Sequence, residues 1–289
     1  MIGANWEVFD WSVAMRRVVV VAAMIIGAVS GARAADLSDL PILRGSVTEG
    51  LTISAVNWQG FYIGGQGAYG TSDMNFTNAT RTDAARLLDG LALEAAGQVS
   101  SWPIMGKNSV HGSGIGGFAG YNGQWDDVVL GVEFNYLHAK FNGLSSGSMG
   151  KSFTDAGGYT DGVTYQGTAR MSISDMGTIR ARAGYAFSAF LPYMFGGIAL
   201  GQADILKTVN ITGIAVNASA TPPFNSIPIN YSTTNAINSH LIYGYSAGLG
   251  ADVMLVSCLF LRAEWEYVRF TSSIDTSVNT VRVGLGYKF

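Results

Sequence analysis

Arg180 and Arg182 stand two residues apart, and so do Arg262, Glu264 and Glu266. Glu133, Asp252, Arg282 and Lys288 each sit at the polar phase of an alternating apolar segment. Residues two apart share one face of a β-strand, so all nine point to the same side of whatever sheet they build. Four acids facing five bases are nearly balanced, and two chemistries follow. Paired, they make a salt-bridged plug, because a buried charge without a partner carries a large desolvation cost. Left apart, they line a polar path for small solutes, with the same groups acting as its gate.

Other chemistry finds little support. The histidines are His111, His138 and His240, and none has a second histidine three or four residues away, as a helical metal site needs. The neighbours of His138 at two residues are Tyr136 and Lys140, so no serine shares its face for acyl transfer. Cys258 is the sole cysteine and falls in a predicted tight turn. No catalytic residue, metal ligand set or cofactor site is assigned. A net charge of −3 gives no reason to expect nucleic acid as a partner.

The elements that position the charges are strands. The segment from Asn279 to Phe289 sets Val281, Val283, Leu285, Tyr287 and Phe289 against Arg282, Gly284, Gly286 and Lys288. One wholly apolar face and one polar, glycine-rich face is the pattern of a strand with lipid outside and a polar lumen inside. Seven earlier segments repeat it: 58–70, 112–124, 128–141, 172–187, 190–203, 240–254 and 259–270. Strand 190–203 alternates poorly and is placed by spacing. Between them, short turns such as Trp125-Asp126-Asp127 and Ser188-Ala189 alternate with long links over 71–111, 142–167, 204–239 and 271–277. The expected fold is all-β: an eight-stranded antiparallel transmembrane β-barrel with short periplasmic turns and long external loops. Within the first loop, Ala84, Leu87, Leu88, Leu91 and Ala95 recur at helical spacing, which predicts a short surface helix or a disordered stretch over Thr82–Gln98, with Asp83 as its cap. Trp58, Tyr69, Trp125, Tyr136, Trp265 and Tyr267 are assigned to the interfacial aromatic girdles.

Composition agrees. Charged residues are 13% of the 289, about half the usual share, yet no apolar run reaches the roughly 20 residues of a membrane helix. The longest run, Val18 to Val29, follows Arg16-Arg17 and leads to Ala32-Arg33-Ala34. That pattern predicts a secretory signal over residues 1–34, cleaved before Ala35, with Met15 as a candidate start that would leave residues 1–14 as an extension. Residues 35–57 are expected as a loosely ordered periplasmic lead-in, and 58–289 as the barrel.

The motif Trp58-Gln59-Gly60-Phe61-Tyr62-Ile63-Gly64-Gly65, the Ala34-Ala35-Asp36-Leu37 run and the closing Gly284-Leu285-Gly286-Tyr287-Lys288-Phe289 resemble the alphaproteobacterial outer-membrane porin-like proteins. These are small OmpA-type eight-stranded barrels, some of them surface antigens. The likeness runs from about residue 34 to the end, without the family's dense proline run after Leu37. It implies an outer-membrane location. It also implies lipids and lipopolysaccharide, periplasmic chaperones and the barrel-assembly machinery as partners, the last reading Tyr287 and Phe289 as a C-terminal signal. No peptidoglycan-binding module is expected after the barrel. External His and Tyr side chains capture haem in some members. Here His111 and His240 with Tyr159 or Tyr231 are the residues for it, although solvated rim positions are the plainer reading. The function expected is a structural, surface-exposed barrel. A narrow passive porin and a loop-mediated ligand receptor are the alternatives, and a soluble lipocalin-like barrel is a weak fourth.

Overall fold

The computed structural model describes residues 56–272 and 274–289. Eight strands run in chain order: β1 Gly60–Asn75, β2 Lys107–Trp125, β3 Val128–Thr154, β4 Thr160–Tyr185, β5 Phe190–Val216, β6 Ser226–Val256, β7 Leu259–Thr271 and β8 Asp275–Lys288. Each pairs antiparallel with the next, and β8 returns to β1, closing the barrel. Closure removes the sheet edges that lipid cannot hydrogen-bond. The backbone amide of Phe289 completes the seam by donating to the carbonyl oxygen of Phe61 at 2.9 Å. The expected signal peptide, and the lead-in as far as residue 55, lie outside the described residues.

The strand faces follow from the alternation. Phe61, Ile63, Ile115, Val132, Phe134, Ile179, Leu249, Val281, Val283 and Leu285 are exposed outward. In water such a band would be costly; against hydrocarbon it is what the surroundings require. The short turns lie where expected, between β2 and β3, β4 and β5, and β6 and β7. Two of them rest on non-glycine residues at positive φ, Asp126 and Ser188.

Two of the four long links are mostly strand. The segment 142–167 continues β3 and β4, and 204–239 continues β5 and β6. β3 to β6 are 27, 26, 27 and 31 residues long, far beyond the ~9–11 that a tilted crossing needs. The first link also shrinks, because β1 runs to Asn75 and β2 begins at Lys107. The reason these stretches read as loops is physical. Above the lipid the rule inverts: apolar side chains point inward and polar ones outward. Val163, Tyr165, Ala169, Met171, Val209 and Ile211 are buried, while Gln166, Thr168 and Arg170 between them are exposed. The ladders slip at one level as the inversion occurs, between His138 and Phe141, Ile173 and Asp175, and Ala203 and Ile205. Such bulges add twist and re-aim a strand.

The helical spacing in the first link becomes two short helices, α1 Arg81–Leu87 and α2 Ala92–Gly97. Gly90, at φ +75°, lies between them. They are neither surface-borne nor disordered. Ala84, Leu88, Leu93, Val99 and Trp102 pack against Val163, Tyr165, Val209 and Ile211 on the inner face of the external sheet. Gly97 sits so close that a Cβ there would meet the Phe153 ring at 2.2 Å. Asp83 does not cap the helix. Thr80 holds the cap position, and its hydroxyl bonds the Tyr165 hydroxyl at 2.8 Å. Burial pushes that phenol's pKa up.

Asp83 instead pins the helix to the sheet. It accepts from Asn235 Nδ2 at 3.1 Å and pairs with the buried Lys207 at 3.4 Å. Asp83→Ala leaves Lys207 without its anion, at a local cost of about 1–3 kcal/mol. The expected result is tryptic cleavage after Arg81 or Arg86 about tenfold faster, with the barrel core still protected. Unchanged cleavage would show that the pin does not hold the helix.

Candidate functional site: the charged layer inside the barrel

Five strands of the lower barrel deliver charged side chains inward. β3 brings Glu133 and Asn135, β4 brings Arg180 and Arg182, β6 brings Asp252, β7 brings Arg262, Glu264 and Glu266, and β8 brings Arg282. β1 adds Tyr62 and Gln66. The register sets Glu133 opposite Arg180, Asp252 opposite Arg262, and Glu264 opposite Arg282. Opposite charges at such cross-strand positions are favourable.

The side chains do more than pair with strand neighbours. Arg180 Nη2 lies 2.5 Å from Glu133 and reaches across the lumen to Glu264 at 2.6 Å. Arg262 donates from Nη1 to Glu133 at 2.7 Å and from Nε to Asp252 at 2.8 Å. Arg182 binds Asp252 at 2.8 Å. Arg282 pairs with Glu266 and donates to Asn135 Oδ1 at 2.7 Å. Tyr62 donates to Glu133 at 2.7 Å, and Tyr193 to Glu264 at 2.6 Å. Four carboxylates and four guanidiniums thus share one network, each side chain at most 2% exposed. A planar guanidinium with five donors suits this role, since it can serve several carboxylates at once.

Rings carry the charges from below. Arg180 lies over Phe195 at 3.9 Å, Arg182 over Tyr193 at 3.6 Å and Arg262 over Phe118 at 3.9 Å, distances at which a guanidinium gains from the ring quadrupole. Glycines make the room: a Cβ on Gly250 would lie 2.6 Å from the Tyr193 ring. Two apolar layers enclose the network. Trp58, Phe118, Val129, Leu191, Phe195 and Phe260 fill the end bearing the short turns. Met74, Leu137, Phe141, Met171, Ile205 and Phe270 are among those that fill the barrel above.

Lys288 is not brought into the network. It sits at the strand end and donates to the Gln59 carbonyl oxygen at 3.1 Å, because its position lies below the layer even though its phase is inward. Trp58 is not a girdle residue: it is 1% exposed, its Nε1–H donates to the Ser188 carbonyl oxygen at 3.1 Å, and its ring meets Phe260 edge-on. It precedes the first paired residue, so the chain can turn it into the barrel mouth. Tyr69, Trp125, Tyr136 and Trp265 are exposed outward, and Tyr267 is half-buried. Tyr287 and Phe289 stack edge-to-face on the outer surface at 5.2 Å. His111 and His240 do not meet; the first lies beside Thr71 on β1 and the second beside Ala203 on β5. Tyr62, Tyr193, Gln66 and Asn135 belong to the network although the sequence singled out only charges. Their inward phase was the available signal. On β5 the inward face is largely apolar, Leu191-x-Tyr193-x-Phe195, which is why its alternation is hard to see.

A closed eight-stranded barrel with an apolar outer belt and a paired polar interior is an outer-membrane barrel protein. The chain belongs to the outer membrane protein beta-barrel domain family, which matches residues 22–289. It is 27% identical over 274 residues to the 31 kDa outer-membrane immunogenic protein of Brucella melitensis, covering 89% of this chain and 95% of that one. The 22 kDa outer membrane protein of Rhizobium leguminosarum bv. viciae is 23% identical over 247 residues, covering 81% and 80%. The crystal structure of Ail, the attachment invasion locus protein of Yersinia pestis, matches with 12% identity and a TM-score of 0.36, over 80% of this chain and 99% of that one. The family match over residues 22–289 bears out the expected barrel fold and outer-membrane location, and the relatives it resembles are alphaproteobacterial outer-membrane proteins.

Proposed function

We propose that this protein is a plugged, structural barrel that anchors a rigid external sheet to the outer membrane and presents it to the exterior. The observation that carries this reading is the three-layer interior. A charged network with every carboxylate paired lies between two apolar layers whose members are almost wholly buried. A solute path would have to break a buried ion-pair network and then pass side chains such as Phe141 and Phe270. Eight strands leave a lumen just wide enough for side chains to fill. The reading is structural rather than catalytic. The external portion is sheet with a packed helical segment, which suits a persistent surface more than a mobile gate. Tyr287 and Phe289, exposed at the closing seam, are the residues we assign to recognition by the assembly machinery.

Single-channel recording of refolded protein in a planar bilayer tests the reading. Folded protein is expected to stay silent. Stable, stepwise openings would favour the narrow porin instead.

A further inference from the structure

Where β2 leaves β3, a groove of about 710 Å³ opens on the outer surface, lined by His111, Ser113, Ile115, His138 and Lys140 together with backbone. Three features coincide there. First, the β2–β3 ladder ends at Gly114–Ala139, although β2 continues to Lys107 and β3 to Thr154. The backbone on either side of the fork therefore has no ladder partner across it. Second, the β3–β4 ladder bulges at the same point, between His138 and Phe141; this places Lys140 at the bulge, and bulges recur where a side chain is re-aimed. Third, three groups that carry or can carry positive charge, His111, His138 and Lys140, all face outward and are exposed.

The surroundings sharpen the chemistry. His138 Nδ1 is held by Asp175 at 2.8 Å, and the same Asp175 oxygen accepts from Tyr136 at 2.6 Å. The carboxylate is thus engaged by His138, Tyr136 and Ser174, and the other ring nitrogen of His138 is the one that can meet a ligand. His111 stacks parallel on Tyr69, with centroids 6.2 Å apart. Asp73, diagonal to it across β1 and β2, accepts from Ser109. Lys140 forms no ion pair among the described residues.

Height along the barrel selects the ligand. His138 lies ten residues beyond Val128, the first residue of β3. At about 3.4 Å per residue and a tilt near 40°, that is roughly 26 Å above the turn. The apolar belt of such a barrel is about 25 Å tall, so the groove meets the plane where hydrocarbon gives way to headgroups. Ile115, directly opposite His138, and Phe134 below it are exposed to that hydrocarbon. We propose that this fork is a seat for the phosphomonoester headgroup of an outer-leaflet lipid, with Lys140 and His138 binding the phosphate and the Ile115–Phe134 surface taking the acyl chain.

The test uses the full chain refolded into phosphatidylcholine vesicles with a trace of spin-labelled phosphatidic acid. Electron paramagnetic resonance reads the immobilised lipid. Phosphatidic acid is expected to be selected over labelled phosphatidylcholine about fivefold or more. That selection should fall to near parity in the Lys140→Gln/His138→Gln variant and stay unchanged in Arg81→Ala. It should also persist in excess inorganic phosphate. Both replaced side chains point outward, and an unchanged heat-shifted gel mobility checks the fold; Lys140→Gln alone serves if the double variant fails that check. Equal selection of the two lipids, or selection unaltered in the variants, would overturn the proposal. Displacement by inorganic phosphate would overturn the lipid assignment in favour of a soluble-anion site.

Discussion

Arg262→Ala is expected to lower the unfolding free energy of the barrel by about 3–5 kcal/mol, the range for breaking a buried ion pair from one side. Arg262 touches Glu133 and Asp252 with separate nitrogens and stacks over Phe118, and it is 0% exposed. Its removal leaves two buried carboxylates, each short of a strong donor. The cost arises mainly from those orphaned acids, so removing one of them as well should recover part of it. Asp252→Asn added to Arg262→Ala is expected to be less destabilising than the two single effects summed. Urea unfolding of vesicle-inserted protein, followed by tryptophan fluorescence, measures all three variants. A loss within about 0.5 kcal/mol, the range of ordinary surface substitutions, would mean that water reaches the layer and that the network is not the sealed plug described here.

Phe141→Ala tests the layer above. Phe141 is 1% exposed and packs in the apolar cluster with Met74, Leu137, Met171 and Phe270. Truncating such a ring costs about 3–5 kcal/mol through lost transfer energy and the cavity that remains. The functional expectation is separate: the variant should still be electrically silent, since the charged network closes the lumen independently. Single-channel recording beside the unfolding curve decides it. Conductance from Phe141→Ala alone would show that the apolar layer is the only barrier, and the charges would then become a lining rather than a plug.

Much of this architecture is legible in the chain because lipid imposes a strict rule on a strand. Ile179, Ala181 and Ala183 against Arg180, Arg182 and Gly184 admit one orientation only, for a guanidinium cannot face hydrocarbon cheaply. The same logic placed Glu133, Asp252 and Arg282 inside. The rule lapses above the membrane, where both faces of a strand can be polar and a buried inner face looks like any soluble sheet. Thr164 to Ser172 alternates as cleanly as the spanning strands, but with the opposite sign, and so reads as loop. Asp83 failed as a cap for a similar reason. Local sequence shows a capping residue, while the demand of buried Lys207, more than a hundred positions away, is invisible to it.

The sequence by itself determined the class of fold, the number of strands, their phase within the membrane and the outer-membrane location, because each follows from a period of two and the cost of exposing charge to lipid. Tertiary structure alone decided who meets whom. Closure brings Arg180 to Glu264, 84 positions away, rather than only to its strand neighbour. It lifts Lys288 out of the network, turns Trp58 into the mouth and lays the α1–α2 segment on the external sheet. Those outcomes depend on barrel stagger and on the bulges, which fix the height of each inward residue, and height is a property of the closed sheet that no single strand contains.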